Sequence, residues 1–170
     1  MNAAQELKEL MLHAPRLTLA VAESLTVGNV QARVASVSGA SEYFLGGITA
    51  YSLDEKVRHL GVARAAAKKV NCVSADVAAQ MARGVCKLFG SAVGVGTTGY
   101  AEPNAKLKIA QPFAWWAVAH RGRGGKFSVR HGRVECVGAS RTDAQKIVAD
   151  AALAELVNFL RELRAEKPKR

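Results

Sequence analysis

The sequence predicts an α/β fold: a three-layer α/β/α sandwich with a mixed, mostly parallel sheet and a late β-hairpin. Short apolar runs alternate with segments of helical periodicity, a pattern typical of parallel strands joined by helices. A Gly-rich turn at 121–125 separates two strand-like runs and predicts the hairpin. The 170 residues, 49% of them hydrophobic, suit one globular domain. We expect that domain over 1–165, with a frayed basic tail at 166–170.

The first third of the chain predicts two strand–helix units after an N-terminal helix. The helix covers 3–12 and has apolar side chains on one side. A strand over 17–22 leads through a tight turn to Thr26, which caps a helix running to about residue 37. A second strand over 46–51 precedes a short helix over 54–60.

The middle of the chain predicts a longer helix and a buried strand. Ser74 caps that helix, and Gly90 ends it. Residues 92–98 are apolar and small, as expected of a buried strand, and 99–111 read as a long loop.

The last third predicts the hairpin and a closing helix. Its two strands cover 113–120 and 127–137. Ser140 and Asp143 then form a capping box for a helix that continues to about residue 163.

The net charge of +10 raises the question of a nucleic-acid partner. The basic residues are scattered and no recognition motif accompanies them, so a solvated positive surface is the better explanation. We therefore expect no nucleic-acid site.

The three cysteines and the N-terminal residues bear on the cellular compartment. Cys72, Cys86 and Cys136 are too far apart for a C-x-x-C pair, and buried, reduced thiols explain all three. The N-terminal residues lack the features of a signal peptide, and no apolar run approaches the roughly 20 residues of a membrane span. The expected location is the cytoplasm, without a membrane partner.

Polar residues follow three of the predicted strands. In open α/β sheets, ligands bind beyond the carboxyl ends of the strands. The loop before the second strand adds Ser41, which we expect at the same crevice. The residues at the strand ends are Glu23, Ser24 and Thr26, then Tyr51, Ser52 and Lys56, and finally Thr97, Thr98 and Gly99.

A serine–lysine arrangement is the chemistry that these residue types favour. A serine needs a base to become a nucleophile, and none of the four histidines lies at the three strand ends named above. Lys56 is the lysine beside the crevice, and burial would lower its pKa enough for it to act as that base. Tyr51 could relay protons or donate to an oxyanion. Taken singly, each residue is more simply explained as a turn, cap, packing or solvated residue.

The order of several motifs resembles the CinA C-terminal domain family, whose active members are nicotinamide-nucleotide amidases. Residues 22–28 are similar to A-E-S-C-T-G-G, and 39–41 to G-S-S. Residues 49–56 are similar to T-Y-S-N-x-x-K, and 98–103 to T-G-I-A-G-P. No G-x-G-x-x-G dinucleotide motif is present around Gly99.

The resemblance implies hydrolysis of nicotinamide mononucleotide to nicotinate mononucleotide and ammonia. It places the nucleophile at Ser41, the base at Lys56 and a proton relay at Tyr51. It implies neither a metal nor a cofactor, and it suggests a homodimer or higher homo-oligomer. The implied substrate-binding residues are Glu23, Ser24, Thr26, Gly28, Thr98, Gly99 and Arg141.

Departures from the motifs fall mainly on small residues around the implied pocket. Val27, Glu102 and Ala114 replace residues that leave room for a ligand, and Glu102 adds a negative charge. Gln145 stands where a second arginine is expected. Two hypotheses follow: an amidohydrolase, or a catalytically silent domain that binds a nucleotide or a protein partner.

Overall fold

The structure is a computed structural model that describes residues 2–165, and the tail predicted at 166–170 lies outside the described residues. No helix in this range is both long and apolar enough to cross a membrane. The helices within the range are α1 (Ala3–Leu12), α2 (Asn29–Val34), α3 (Leu53–Leu60), α4 (Arg64–Lys69), α5 (Ala75–Phe89) and α6 (Arg141–Ala165). The strands are β1 (Leu19–Glu23), β2 (Phe44–Thr49), β3 (Val93–Tyr100), β4 (Phe113–Arg121) and β5 (Phe127–Glu135).

The five strands form one mixed sheet in the order β2-β1-β3-β4-β5. β1 is parallel to both β2 and β3, so the carboxyl ends of these three strands meet at one edge. The β3–β4 and β4–β5 pairs are antiparallel, which leaves β4 as the one strand of this sheet that runs against the others. The predicted mixed sheet and late hairpin are confirmed.

Helices cover both faces of the sheet, which confirms the three-layer sandwich. The side chains of β1 alternate between two hydrophobic clusters, one on each face of the sheet. Leu19 and Val21 pack in the cluster that includes side chains of α1, α2 and α6. Ala20 and Ala22 face the opposite cluster, which includes side chains of α3, α4 and α5.

Helix α5 lies directly on β3 because two glycines leave room for its backbone. A Cβ at Gly94 would lie 2.2 Å from the carbonyl oxygen of Ala82, and one at Gly96 would lie 2.4 Å from that of Ala78. These glycines therefore serve close helix–sheet packing.

Element boundaries differ from the predictions at three places that matter for the site. β2 ends at Thr49, so Tyr51 lies in the loop after the strand. β3 extends to Tyr100, into the predicted loop. The six-residue helix α4 was not predicted, because it is too short to show a clear periodicity.

The caps of two helices test the local predictions. Thr26 does not cap α2, whose N-cap is Gly28 with φ +94°. At the start of α6, Ser140 Oγ accepts a hydrogen bond from the Asp143 amide at 3.2 Å and donates one to its carboxylate at 2.6 Å. The Ser140 half of the predicted capping box is therefore confirmed, whereas the Asp143 carboxylate contacts the Ser140 hydroxyl in place of the Ser140 backbone N–H.

Candidate functional site

A cavity of about 350 Å³ opens at the edge where β1, β2 and β3 end. Its volume falls in the range of small-molecule sites, about 300–1,000 Å³. Its position agrees with the rule for open α/β sheets. The lining residues are Ser24, Leu25, Tyr51, Ser52, Leu53, Lys56, Lys68, Asn71, Cys72, Val73, Thr98, Gly99 and Tyr100.

Lys56 forms the polar centre of this cavity. Lys56 lies on α3 and is only 1% exposed. The Nζ atom is 2.9 Å from Ser24 Oγ and 2.8 Å from each of the carbonyl oxygens of Ala50 and Tyr51. Among residues 2–165, no carboxylate lies within ion-pair distance of this nitrogen.

In the structure Nζ donates to all three of these oxygens, as an ammonium with three N–H groups can. In its neutral form the amine can keep both carbonyl contacts and accept the O–H of Ser24 with its lone pair. Burial lowers the pKa of Lys56, an effect partly opposed by the nearby Cys72. Without a carboxylate to hold the ammonium form, the lysine is placed to take a proton from Ser24.

Ser24 lies at the turn between β1 and α2. Its amide donates to the carbonyl oxygen of Thr97 at 3.1 Å, which fixes the turn to the neighbouring strand. The amide of Leu25, directly after it, has no acceptor among residues 2–165. A serine on a strand–turn–helix, followed by a free amide, is the arrangement in which many hydrolases place a nucleophile and an oxyanion donor.

Tyr51 and Arg141 meet at the mouth of the cavity. The Tyr51 hydroxyl accepts a hydrogen bond from Arg141 Nη2 at 2.8 Å, while Arg141 Nη1 donates to Glu102 Oε1, also at 2.8 Å. The Tyr51 side chain is thus directed to Arg141. Tyr51 contacts Lys56 through its backbone carbonyl oxygen, which accepts a hydrogen bond from Nζ.

Thr98 and Gly99 line the cavity, as does the connection between α4 and α5. Thr98 Oγ1 donates to the carbonyl oxygen of Cys72 at 2.7 Å, and this joins β3 to that connection. Cys86 and Cys136 are buried, as predicted, whereas Cys72 is partly exposed in the cavity.

The sequence analysis missed seven lining residues, four of them polar. Three of the polar ones belong to the unpredicted α4 or to the loop after it, and a lysine in this short Ala-rich helix followed by an asparagine was the available signal. The polar residues are Lys68, Asn71, Cys72 and Tyr100, and the apolar ones are Leu25, Leu53 and Val73.

The structure does not bring Ser41 to Lys56. Ser41 is exposed on a short 3₁₀ helix that precedes β2, and it lies outside the cavity. Strand β2 lies between Ser41 and Tyr51 in the chain, and its six residues span about 17 Å at roughly 3.3 Å per step. The predicted Ser41–Lys56 pair is therefore corrected: within the chain, the serine in contact with Lys56 is Ser24.

Three further residues expected to bind substrate instead build the turn after β1. The carboxylate of Glu23 is fully buried and accepts backbone N–H groups from Gly28, Val30 and Gln31 at 2.9–3.2 Å. Thr26 Oγ1 is hydrogen-bonded to Thr97 Oγ1 at 2.7 Å. Neither Glu23, Thr26 nor Gly28 lines the cavity. Glu23 takes the capping role predicted for Thr26, and it holds Ser24 in place.

We expect Glu23→Ala to lower the free energy of unfolding by about 3 kcal/mol, because it leaves buried amides at the start of α2 without an acceptor. Urea unfolding measures the change. The control, Glu162→Ala, removes an exposed carboxylate on α6 and should change stability by less than about 1 kcal/mol. Equal losses in the two variants would contradict the capping role.

A second, shallower groove of about 430 Å³ lies between α3 and α5. Its polar side chains include His59, Arg83 and Lys87, and it contains no serine, threonine or cysteine. The smaller cavity is the better candidate site because a serine hydroxyl and a buried lysine amine meet in it.

Comparisons with known proteins agree with the family resemblance. Residues 2–160 match the model of the CinA C-terminal domain. A CinA-like protein of Salinibacter ruber is 39% identical over 144 residues, which cover 85% of this chain and 34% of that protein. A CinA-like protein of Chlorobium limicola is 36% identical over 155 residues, or 90% of this chain and 36% of that one. The chain thus spans about a third of the length of these curated relatives.

Solved structures share the fold. A CinA superfamily protein from Enterobacter cloacae superposes with a TM-score of 0.80 at 24% identity, over 93% of this chain and 90% of that chain. The competence/damage inducible protein CihA from Agrobacterium tumefaciens gives 0.79 at 23% identity, over 94% and 95% of the two chains. Together with the match over residues 2–160, these findings show that the chain belongs to the CinA C-terminal domain family.

Proposed function

We propose that this domain hydrolyses a small primary amide, with nicotinamide mononucleotide as the substrate, through a Ser24 nucleophile and a Lys56 base. The observation that carries the proposal is the 2.9 Å contact between Lys56 Nζ and Ser24 Oγ in a cavity at the strand ends. Family membership supports the substrate class, since the motif resemblance implies a nicotinamide-nucleotide amidase.

The proposed reaction proceeds through an acyl-enzyme. Ser24 Oγ attacks the carboxamide carbon while Lys56 takes the hydroxyl proton. The amide of Leu25 donates to the oxyanion of the tetrahedral intermediate. When the C–N bond breaks, Lys56 returns the proton to the leaving nitrogen and ammonia departs. A water molecule then gives a proton to Lys56 and attacks the ester carbon. When the ester C–O bond breaks, Lys56 returns that proton to Ser24 Oγ and the acid is released.

Lys68 supplies positive charge to the cavity, and no aspartate or glutamate is among the lining residues of the described chain. Arg141 stands at the mouth, where it is paired with Glu102. The expected homo-oligomer and the cytoplasmic location stay predictions.

Ammonia release from nicotinamide mononucleotide by the purified protein tests this proposal. We expect turnover whose kcat/KM rises with pH and then levels off, because only the neutral form of Lys56 accepts a proton. Burial lowers the pKa of Lys56, so the rise should have its midpoint below about 10.4, the ordinary value for lysine, and activity should be lost as pH falls through that midpoint.

A thermal-shift measurement with the same nucleotide separates the enzyme from a silent binder. Stabilisation without ammonia at any pH would favour the binder and contradict the proposed hydrolysis. An activity that decreases with rising pH would contradict the role of Lys56.

A further inference from the structure

Three segments of the chain meet in an ion-pair cluster at the mouth of the cavity. Tyr51 follows β2, Glu102 follows β3, and Arg141 begins α6. Arg141 donates from Nη1 to Glu102 Oε1 and from Nη2 to the Tyr51 hydroxyl, each at 2.8 Å. Because Tyr51 lines the cavity, this cluster stands where the outer part of a ligand would lie.

The two lysines that line the cavity do not replace Arg141 as a receptor for an anion. Lys56 is buried, and three oxygen atoms already surround its nitrogen. Lys68 is exposed and offers a point charge on a flexible stem. Arg141 alone presents the planar fork that binds a phosphate through two N–H groups.

Glu102 already occupies one arm of that fork. A phosphate that approaches Arg141 must displace the Glu102 carboxylate and is also repelled by its negative charge. Both side chains are substantially exposed, 46% for Arg141 and 60% for Glu102, so the competition is moderate. A ligand without a phosphate avoids it.

We propose that Glu102 is a specificity-determining residue that biases the cavity toward amides without a phosphate. This inference rests on the proposed amide hydrolysis in the same cavity. The domain would then accept amides that lack a phosphate, such as nicotinamide riboside, in addition to nicotinamide mononucleotide.

The test compares nicotinamide mononucleotide with nicotinamide riboside, which differ by the phosphate alone. The observable is the ratio of kcat/KM for the mononucleotide to that for the riboside. We expect Glu102→Gln to raise this ratio by about three- to tenfold, and Arg141→Gln to lower it. The control Glu162→Gln removes an exposed carboxylate paired with Arg130 between α6 and β5, and it should leave the ratio within about twofold of wild type.

Calorimetric dissociation constants for both ligands provide a readout that does not require turnover. If wild-type protein releases no ammonia from either compound, the proposed function fails, and the ratio of dissociation constants still tests Glu102. Turnover with a ratio unchanged by Glu102→Gln overturns this inference and leaves the hydrolysis standing. Failure of either ligand to bind overturns the inference as well.

Discussion

Replacement of Ser24 by alanine should abolish ammonia release, with kcat reduced by at least about 10³-fold. The reason is that Ser24 carries the hydroxyl in contact with the buried amine of Lys56. The substitution removes one small polar atom from a turn that Glu23 holds in place, so the fold should persist. Steady-state ammonia release together with thermal unfolding measures both effects.

Ser41→Ala is the matched control for that experiment, since it makes the same chemical change on the exposed segment before β2. Its activity should stay within about twofold of wild type, as expected of a surface substitution away from the site. A loss of activity in Ser41→Ala with full activity in Ser24→Ala would assign the nucleophile to Ser41 and contradict the geometry within this chain.

Replacement of Lys56 by methionine should reduce kcat by about 10²–10⁴-fold, the usual contribution of a general base. Methionine fills a similar volume but cannot accept a proton from Ser24. Lys56→Arg introduces a guanidinium that stays charged and cannot accept a proton, so this variant should be equally inactive. The control Lys87→Met removes an exposed lysine from α5, outside the cavity, and should retain activity.

Lys56→Met also tests whether Lys56 is buried, through the pH dependence of protein stability. Because burial lowers the pKa of Lys56 in the folded state, unfolding takes up a proton between that pKa and the ordinary value of about 10.4. The free energy of unfolding contributed by this group should therefore rise with pH across that interval. Urea unfolding at several alkaline pH values should show this rise in wild type and its loss in Lys56→Met; identical slopes would indicate a solvated lysine.

The layers of the fold could be predicted from the sequence because their signals are local. A short apolar run over 17–22 predicted a strand, and Ser140 with Asp143 predicted the start of α6. Helix α4 was missed because six residues give less than two turns of periodicity. Its omission hid the loop that places Asn71 and Cys72 at the cavity.

Residues chosen because they lie at strand ends divide between the cavity and the turn beside it: Glu23, Thr26 and Thr97 lie outside the lining. Ser24 and Thr98 follow or end parallel strands, and Lys56 lies one short loop beyond another, so all three reach the same edge. Ser41 precedes β2, and the same rule places it at the opposite edge of the sheet. The motif resemblance led to the prediction that Ser41 lies in the site. The direction of β2 alone predicts that Ser41 and Lys56 lie at opposite ends of that strand.

The structural role of Glu23 could not be predicted from residue type. A glutamate at a strand end suggests a ligand-binding carboxylate, and only the folded turn shows three amides directed at it. The pairing of Glu102 with Arg141 likewise joins residues 39 positions apart, and no local pattern predicts it.

Covalent trapping locates the activated hydroxyl most directly. A fluorophosphonate reacts with a serine whose proton is removed by a neighbouring base, and peptide mass spectrometry identifies the modified residue. The label should appear on Ser24 in wild-type protein and disappear in Lys56→Met. A label on Ser41, or one on Ser24 that persists at the same rate without Lys56, would contradict the Ser24–Lys56 assignment.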